Sequence, residues 1–249
     1  MKTLRIKKKA TLLSVGSNSF LILLKLIVGF LSGSVSIISE AIHSLTDLLA
    51  SFLAYYSVKA SSEPADIEHQ FGHGKFEDLS GGIEGLLIII AAAYIIYEAV
   101  ENMFNGVTEY INTTIGIVVM IISIIINVFV STYLFKVAHK TESFAVLADA
   151  QHLRADIFTS IGVLIGLILI KLTGNTFFDP LIAIIIALMI IKTGIDLCRT
   201  SVNNLLDSSL PEDERIVIRN IVSKFIPNEA LEIIKLKTRK AGTERIIEI

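Results

Sequence analysis

The stretch SEAIHSLTDLLAS, residues 39–51, places three ionisable side chains inside a segment that is otherwise apolar. Residues three and four positions apart lie on the same face of a helix, so Glu40, His43 and Asp47 form one polar stripe. Ionisable groups at membrane depth are costly and usually face partners or a water-filled path. The segment therefore predicts a membrane helix that holds a ligand.

The composition of the whole chain is that of an integral membrane protein. Of its 249 residues 53% are hydrophobic, and the mean hydropathy is +0.69, well above the balance typical of soluble domains. Apolar stretches of about 20 residues occur at residues 11–31, 36–58, 80–103, 111–135, 143–172 and 177–197. We therefore predict an all-α membrane protein with six transmembrane helices in a lipid bilayer.

The distribution of positive charge predicts the orientation of these helices. An even number of spans puts both termini on one side of the membrane. Lysine and arginine precede the first span, border the loops after the second and fourth, and follow the sixth, whereas the opposite loops carry only Lys171. Because positive residues collect on the cytoplasmic side, we expect both termini in the cytoplasm, and we expect the cell membrane of a prokaryote.

The chain divides into two predicted domains, a transmembrane domain at residues 1–200 and a partial cytoplasmic α+β domain at residues 201–249. Serines before Pro211 and acids after it predict a helix start, and Val217, Ile218, Ile221, Val222 and Phe225 form its apolar face. LEIIKLKT predicts a strand, RKAGTE a turn and RIIEI a second strand. Roughly 45 residues are few for an independent core, so we expect an incomplete domain or one stabilised by a partner chain.

A second polar stripe repeats the first. LADAQHLRADIFTS, residues 147–160, carries Asp149, His152 and Asp156 at the spacing of the first stripe. Two histidines and two aspartates brought face to face would offer two nitrogens and two oxygens, a tetrahedral set that suits Zn²⁺. The acid that opens each stripe, Glu40 or Asp149, could accept the free ring N–H of its histidine or ease the access of the ion.

The alternative interpretation is a polar seam between packed helices. Such seams are more easily made from serine, threonine and glycine. The repeated acid and histidine spacing therefore favours a metal site.

A second cluster lies in the loop PADIEHQFGHGKFEDL, residues 64–79. Asp66, His69 and His73 are spaced like metal ligands, and the glycines on either side of His73 allow the backbone to fold round an ion. A solvated loop that contains two histidines by chance is the alternative. Of the five histidines in the chain, only His139 lies outside the two polar stripes and this loop, and we expect it at the surface.

These motifs together resemble the cation diffusion facilitator family, membrane exporters of divalent transition metals. The matching segments are SEAIHSLTD, FGHGKFE, ADAQHLRAD, FFDPLIAIIIALMII and LLDSSLPEDE. The resemblance implies a transport site at His43, Asp47, His152 and Asp156, and a second zinc site at Asp66, His69 and His73. It also implies a homodimer, exchange of metal for protons, and a charge contact between Lys75 and Asp207 near the membrane surface.

The carboxyl end departs from the pattern of that family. Its members usually finish with a cytoplasmic ferredoxin-like domain of two helices and three strands that carries further metal ligands. This sequence stops within the expected second strand, has no histidine after His152, and has Ile234 where some relatives place a histidine. We expect a truncated member with intact transport chemistry and weakened regulation.

The ligand chemistry predicts a secondary active transporter that exports Zn²⁺ by alternating access. Histidines bind metal only after they lose their protons, so metal and proton fluxes are expected to be opposed. Imidazole at both histidine positions favours Zn²⁺, with Cd²⁺ or Co²⁺ as imitators, whereas an all-carboxylate set leans toward Mn²⁺ or Fe²⁺.

Other classes of protein fit the sequence less well. An intramembrane zinc hydrolase would need a general base, commonly in a His-Glu-x-x-His motif, which is absent. A metal-binding dimer partner that does not transport is a third possibility. The chain shows no patch for nucleic acid, and its single Cys198 excludes an internal disulfide and a cysteine-based zinc cluster.

Overall fold

Six long helices make up most of the protein. The computed structural model describes residues 2–32, 35–105, 113–173, 178–224 and 236–249. The long helices are α1 Lys2–Ser32, α2 Val35–Ala60, α3 Phe76–Asn105, α4 Thr113–Thr141, α5 Phe144–Thr173 and α6 Phe178–Leu205. They are followed by α7 Glu212–Lys224 and two short strands, β1 Lys237–Ala241 and β2 Glu244–Glu248. The chain is therefore mostly helical and ends in a small antiparallel hairpin.

Four of the long helices are apolar enough to cross a membrane. Among the described residues these segments are Lys2–Leu31, Phe76–Phe104, Ile117–Thr141 and Pro180–Leu205. The helices that carry the two polar stripes, α2 and α5, are not among these segments, which are drawn only from the part of the chain that the structure describes. Four of the six predicted spans thus coincide with helices that are long and apolar enough to cross a membrane, and the spans at α2 and α5 stay predictions.

Helix α5 occupies the middle of the bundle, where it contacts each of the other five long helices. Small side chains make this possible: Ala145, Ala148 and Ala150 have no exposed surface, and neither does Leu153. Small residues let helix backbones approach closely in a membrane protein. The polar stripe of α5 is therefore enclosed by neighbouring helices.

Glycines bring α3 and α6 together. A Cβ atom added to Gly85 would lie 2.9 Å from the carbonyl oxygen of Gly194, and one added to Gly194 would lie 2.8 Å from that of Gly85. Real Cβ atoms do not approach backbone oxygen this closely. The two glycines therefore allow a backbone contact that any other residue would block.

A buried ion pair joins the helices at the N-terminal end of the bundle, the end at which α1 begins. Lys7 Nζ lies 2.6 Å from Glu77 Oε1, and the Lys7 and Glu77 side chains are only 8% and 1% exposed. Ser61 donates a hydrogen bond to Oε1 at 3.1 Å and Ser143 donates one to Oε2 at 2.6 Å. This Glu77 cluster connects α1, α3, the end of α2 and the residue before α5.

The C-terminal hairpin has a two-residue turn. Ala241 pairs with Glu244, so Arg239, Lys240 and Ala241 belong to β1, and the prediction that they form the turn was wrong. Gly242 takes a φ of +61°, which lets the chain reverse in two residues. Of the predicted first strand, residues 231–235 lie outside the described residues.

Helix α7 begins at Glu212, directly after Pro211, as the sequence predicts. Its apolar face is uncovered: Val217 is 57% exposed and Ile221 is 51% exposed, and α7 contains no buried residue. Phe225, predicted on the same face, lies outside the described residues.

Asp207 connects the hairpin to the helix bundle. Its carboxylate oxygens lie 2.8 Å from Lys75 Nζ and 3.0 Å from Arg239 Nη1, and Lys75 also donates to the carbonyl oxygen of Leu205. The hydrogen bond from Lys75, and after it the one from Arg239, lowers the pKa of Asp207. Asp207 has a φ of 58°, a conformation that aspartate and asparagine tolerate better than most residues.

This contact predicts a pH dependence. Because the folded-state pKa of Asp207 is lowered, its stabilisation of the docked hairpin is present above the ordinary value of 3.8 and is lost as pH falls through the lowered value. The protection of the β1 amides against hydrogen exchange, relative to the intrinsic exchange rate at each pH, should therefore fall on acidification below about pH 4.

Asp207→Asn is the matched control, since asparagine keeps the backbone conformation but has no charge to lose. Its β1 amides should exchange faster than those of the wild type at neutral pH, with the difference vanishing in acid. The pairs of Glu142 and Glu214 with Arg245 are present in both proteins, so they do not contribute to the difference between them. A difference between wild type and variant that persists in acid would contradict the role of Asp207.

Candidate metal centre

Three predicted ligands meet in the interior of the bundle. One ligand atom each from Asp47 on α2 and from His152 and Asp156 on α5 lie within 4.8 Å of one another. Asp47 and His152 are 9% and 6% exposed, and His152 Nε2 lies 3.3 Å from Asp47 Oδ1. The side chains of His43 and Glu40 lie outside the described residues. We refer to the group of Asp47, His152 and Asp156 as the metal centre.

The spacing of these atoms suits a small divalent cation. Two donors that are each about 2.1 Å from a tetrahedral ion lie about 3.4 Å from one another. The separation of His152 Nε2 and Asp47 Oδ1 is close to that value, so an ion could replace the hydrogen bond with little movement of the helices. One imidazole nitrogen and two carboxylate oxygens form a donor set compatible with Zn²⁺ and with neighbouring transition metals.

The hydrogen-bond donors to Asp149 are two serines and not His152, the donor expected from the sequence. It accepts hydrogen bonds from Ser14 at 3.0 Å and from Ser51 at 3.2 Å, both to Oδ1. His152 Nδ1 makes no hydrogen bond among the described residues, so the expected bond from this ring to Asp149 is not formed. The serines of α1 and α2 satisfy Asp149 instead.

A polar layer of α1, which was not predicted from the sequence, supports the metal centre. Asn18 donates to the carbonyl oxygen of Asp47 at 3.3 Å and to Ser51 Oγ at 2.7 Å. The hydroxyl oxygens of Ser14 and Ser51 lie 3.0 Å apart, within hydrogen-bond distance. The sequence does indicate this polar layer, because Ser14 and Asn18 are four residues apart and therefore lie on one face of an apolar helix.

The loop before α3 holds the second predicted cluster. Asp66, His69 and His73 offer ligand atoms within 4.8 Å of one another. Asp66 Oδ2 lies 3.4 Å from His73 Nε2, and Asp66 Oδ1 lies 3.6 Å from His69 Nδ1. The cluster is open to solvent, since the Asp66 and His69 side chains are about half exposed. We refer to it as the loop cluster.

Local hydrogen bonds prepare the loop cluster for a cation. His73 Nδ1 lies 3.2 Å from the carbonyl oxygen of Pro64; if it donates there, Nε2 presents a lone pair toward Asp66. The backbone N–H of His69 donates to Asp66 at 2.6 Å and is the main reason that the pKa of Asp66 is lowered. The carboxylate is therefore ionised at neutral pH, which is the form that binds metal.

The remaining residues singled out in the sequence lie as follows. Lys75 and Asp207 form the contact described above within one chain. His139 is exposed near the end of α4, as predicted. Glu84 on α3, to which the sequence assigns no role, is completely buried.

Comparison with known proteins identifies similar chains. The family model of the cation efflux transmembrane domain matches residues 11–206. An uncharacterized transporter of Synechocystis is 34% identical over 247 residues, which cover 98% of this chain and 78% of the relative. The cation-efflux pump FieF of Serratia proteamaculans is 31% identical over 245 residues, covering 98% and 80% of the two chains. An uncharacterized transporter of Methanocaldococcus jannaschii is 37% identical over 205 residues, covering 82% and 72%.

Proposed function

Because the chain belongs to the cation efflux family, we propose that it exports a divalent cation, in the first place Zn²⁺, in exchange for protons. The observation that carries the proposal is the group formed by Asp47 on α2 and His152 on α5, both buried, with the partly exposed Asp156 on α5. Ionisable residues at this depth are rarely kept without a function. The fourth ligand of the transport site in this proposal is His43.

The choice of Zn²⁺ follows from the donors. A set of two imidazole nitrogens and two carboxylate oxygens suits the tetrahedral coordination of Zn²⁺, and Cd²⁺ or Co²⁺ can imitate it. Mn²⁺ and Fe²⁺ favour sites richer in oxygen. The name of the Serratia proteamaculans relative, a cation-efflux pump, specifies a cation but no particular metal.

Exchange for protons follows from the contact between His152 and Asp47. In the absence of a cation, these two groups can share a proton across the 3.3 Å between Nε2 and Oδ1. A cation that binds uses the same two atoms and must displace that proton. Binding on one side of the membrane therefore releases protons, and protonation on the other side expels the cation.

Alternating access requires α2 and α5 to move relative to the membrane surfaces. In our proposal all six long helices span a prokaryotic cell membrane with both termini in the cytoplasm, and two copies of the chain form a homodimer. Rocking of one helix group against the rest would open the centre to each side in turn. The partial cytoplasmic domain at residues 201–249 and the contact of Lys75 with Asp207 would hold the cytoplasmic ends of the helices together.

The loop cluster is proposed as a second zinc site. Its exposure and its place outside the helices suit an ion that is bound from the cytoplasm and not transported. Asp66, His69 and His73 would supply three of its ligands.

The proposed function is tested with the purified full-length protein in sealed vesicles. With Zn²⁺ added outside and a pH-sensitive dye inside, we expect uptake of Zn²⁺ accompanied by alkalinisation of the lumen, because protons leave as the cation enters. Vesicles without protein give the background. Zn²⁺ uptake that leaves the luminal pH unchanged would exclude exchange for protons, and the absence of any cation uptake would refute the transport function.

The metal preference gives a separate prediction for His43→Asp. Replacing an imidazole with a carboxylate makes the proposed site richer in oxygen, so Mn²⁺ or Fe²⁺ should compete better against Zn²⁺. The measurement is Zn²⁺ uptake in the presence of increasing Mn²⁺, compared between the variant and the wild type. His139→Asp, at an exposed histidine, is the matched control and should leave the competition unchanged. Equal competition in the two variants would remove His43 from the site.

A further inference from the structure

Glu84 on α3 is a buried acid that the mechanism above does not use. It has no exposed surface, and neither of its carboxylate oxygens has a hydrogen-bond partner among the described residues. A carboxyl group in such a place is stabilised only by a proton or by a nearby cation. Packing alone would favour an apolar residue here, so the acid calls for a functional explanation.

The packing of α3 against α5 shows where Glu84 lies. A Cβ atom on Gly81 would collide with the ring of Phe144, so these two residues are at the same level of the bundle. Both helices begin at the N-terminal end and run in the same direction. At about 1.5 Å per residue, Glu84 lies about 4.5 Å and Asp149 about 7.5 Å beyond that level, with His152 deeper than either. Gly81 and Glu84 are three residues apart on one face of α3, so Glu84 lies on the side of α3 that packs against α5.

Glu84 is outside the metal centre itself. The group of ligand atoms that lie within 4.8 Å of one another contains Asp47, His152 and Asp156, and Glu84 is not a member. Asp149, with no exposed surface, has its own unpaired oxygen, Oδ2. Two buried acids with free acceptor atoms therefore lie between the N-terminal end of the bundle and the centre.

We propose that Glu84 and Asp149 form an intermediate binding position for the divalent cation between the N-terminal end of the bundle and the centre at Asp47, His152 and Asp156. This inference rests on the proposed transport function and extends it. The cation would exchange part of its water shell for carboxylate oxygen at this position before it reaches the histidine. Since a partly dehydrated divalent cation is costly in an apolar interior, the position lowers the barrier for passage.

An intermediate position has a kinetic signature that distinguishes it from a ligand of the centre. It lowers the barrier equally for the cation moving in and moving out, and it leaves the free energies of the two end states unchanged. Removing it should therefore slow association and dissociation together while the Kd stays the same. Removing a ligand of the centre would instead weaken the Kd.

The experiment measures Zn²⁺ binding by stopped-flow fluorescence with a zinc-sensitive dye. The protein is the full chain carrying His73→Ala, so that the loop cluster does not contribute. With Glu84→Gln, which keeps the shape of the side chain, we expect both rate constants to fall at least about tenfold and the Kd to stay within about threefold. Glu84→Asp keeps the carboxylate and should restore much of the rate. Glu98→Gln makes the same change at an exposed position of α3 and should alter neither rate.

The outcomes separate this inference from the proposed function. A Glu84→Gln protein that binds Zn²⁺ with the stoichiometry of its parent is folded, and rates equal to those of the parent would then overturn the inference. A weakened Kd with unchanged association, or a Glu84→Asp variant as slow as Glu84→Gln, would also overturn it. A parent protein that binds no divalent cation would overturn the proposed function, and the inference with it.

Discussion

Asp156→Asn is expected to abolish cation transport. The substitution keeps the size of the side chain but removes the charge that, in our proposal, one carboxylate contributes to the cation beside Asp47 and His152. Loss of a contact to a charged group is worth up to about 3 kcal/mol, so uptake should fall by roughly a hundredfold or more. Asp47→Asn should have the same effect. The measurement is initial Zn²⁺ uptake, with the coupled proton flux, in vesicles containing equal amounts of each protein.

Asp66→Asn provides the matched control for this prediction. It is the same chemical change in the exposed loop cluster, and we expect it to remove one bound cation per chain while uptake continues. Asp156→Asn should also lose one cation per chain, but uptake should stop. Transport at the wild-type rate in Asp156→Asn would show that the buried centre is not the transport site. If Asp66→Asn stopped transport as completely as Asp156→Asn, the loop cluster would itself be required for transport, which contradicts the proposal.

Glu77→Ala is expected to have the largest effect on stability. The change leaves the Lys7 ammonium group buried without its carboxylate, and it removes the acceptor for Ser61 and Ser143. Breaking a buried ion pair by deleting one partner typically costs about 3 to 5 kcal/mol, because the remaining charge is uncompensated. We expect the free energy of unfolding, measured by denaturant titration of the purified protein in detergent, to fall by about that amount.

Two controls show whether the buried charge is the cause. Replacing both partners, as in the double variant Lys7→Met and Glu77→Leu, should restore most of the lost stability, since no charge is left buried. Glu248→Ala breaks a pair with Lys237 in which both side chains are more than half exposed, and it should cost less than about 1 kcal/mol. A double variant no more stable than Glu77→Ala would show that the loss comes from packing rather than from charge.

The sequence indicated which histidines and acids could lie close together, but not which residues surround them. The stripe of α5 and the loop cluster were visible because histidine and acid spacings are read directly from the chain. The hydrogen-bond partners of Asp149 were not, because Ser14 and Ser51 come from two other helices whose rotations depend on packing. The hairpin turn was placed too early for a similar reason, since pairing of Lys240 with Arg245 extends β1 beyond its local propensity.

The amino-acid sequence by itself determined that most of the chain is apolar helix and that imidazole and carboxylate groups recur on one helix face, since hydropathy and the 3.6-residue period are properties of the chain alone. Only the tertiary structure decided which of those groups meet. The alanines of α5 allow five helices to surround it, and that enclosure brings Asp47 of α2 to within 3.3 Å of His152. The same packing buries Glu84 and Lys7, and their contacts depend on residues far away in the chain, which no local pattern specifies.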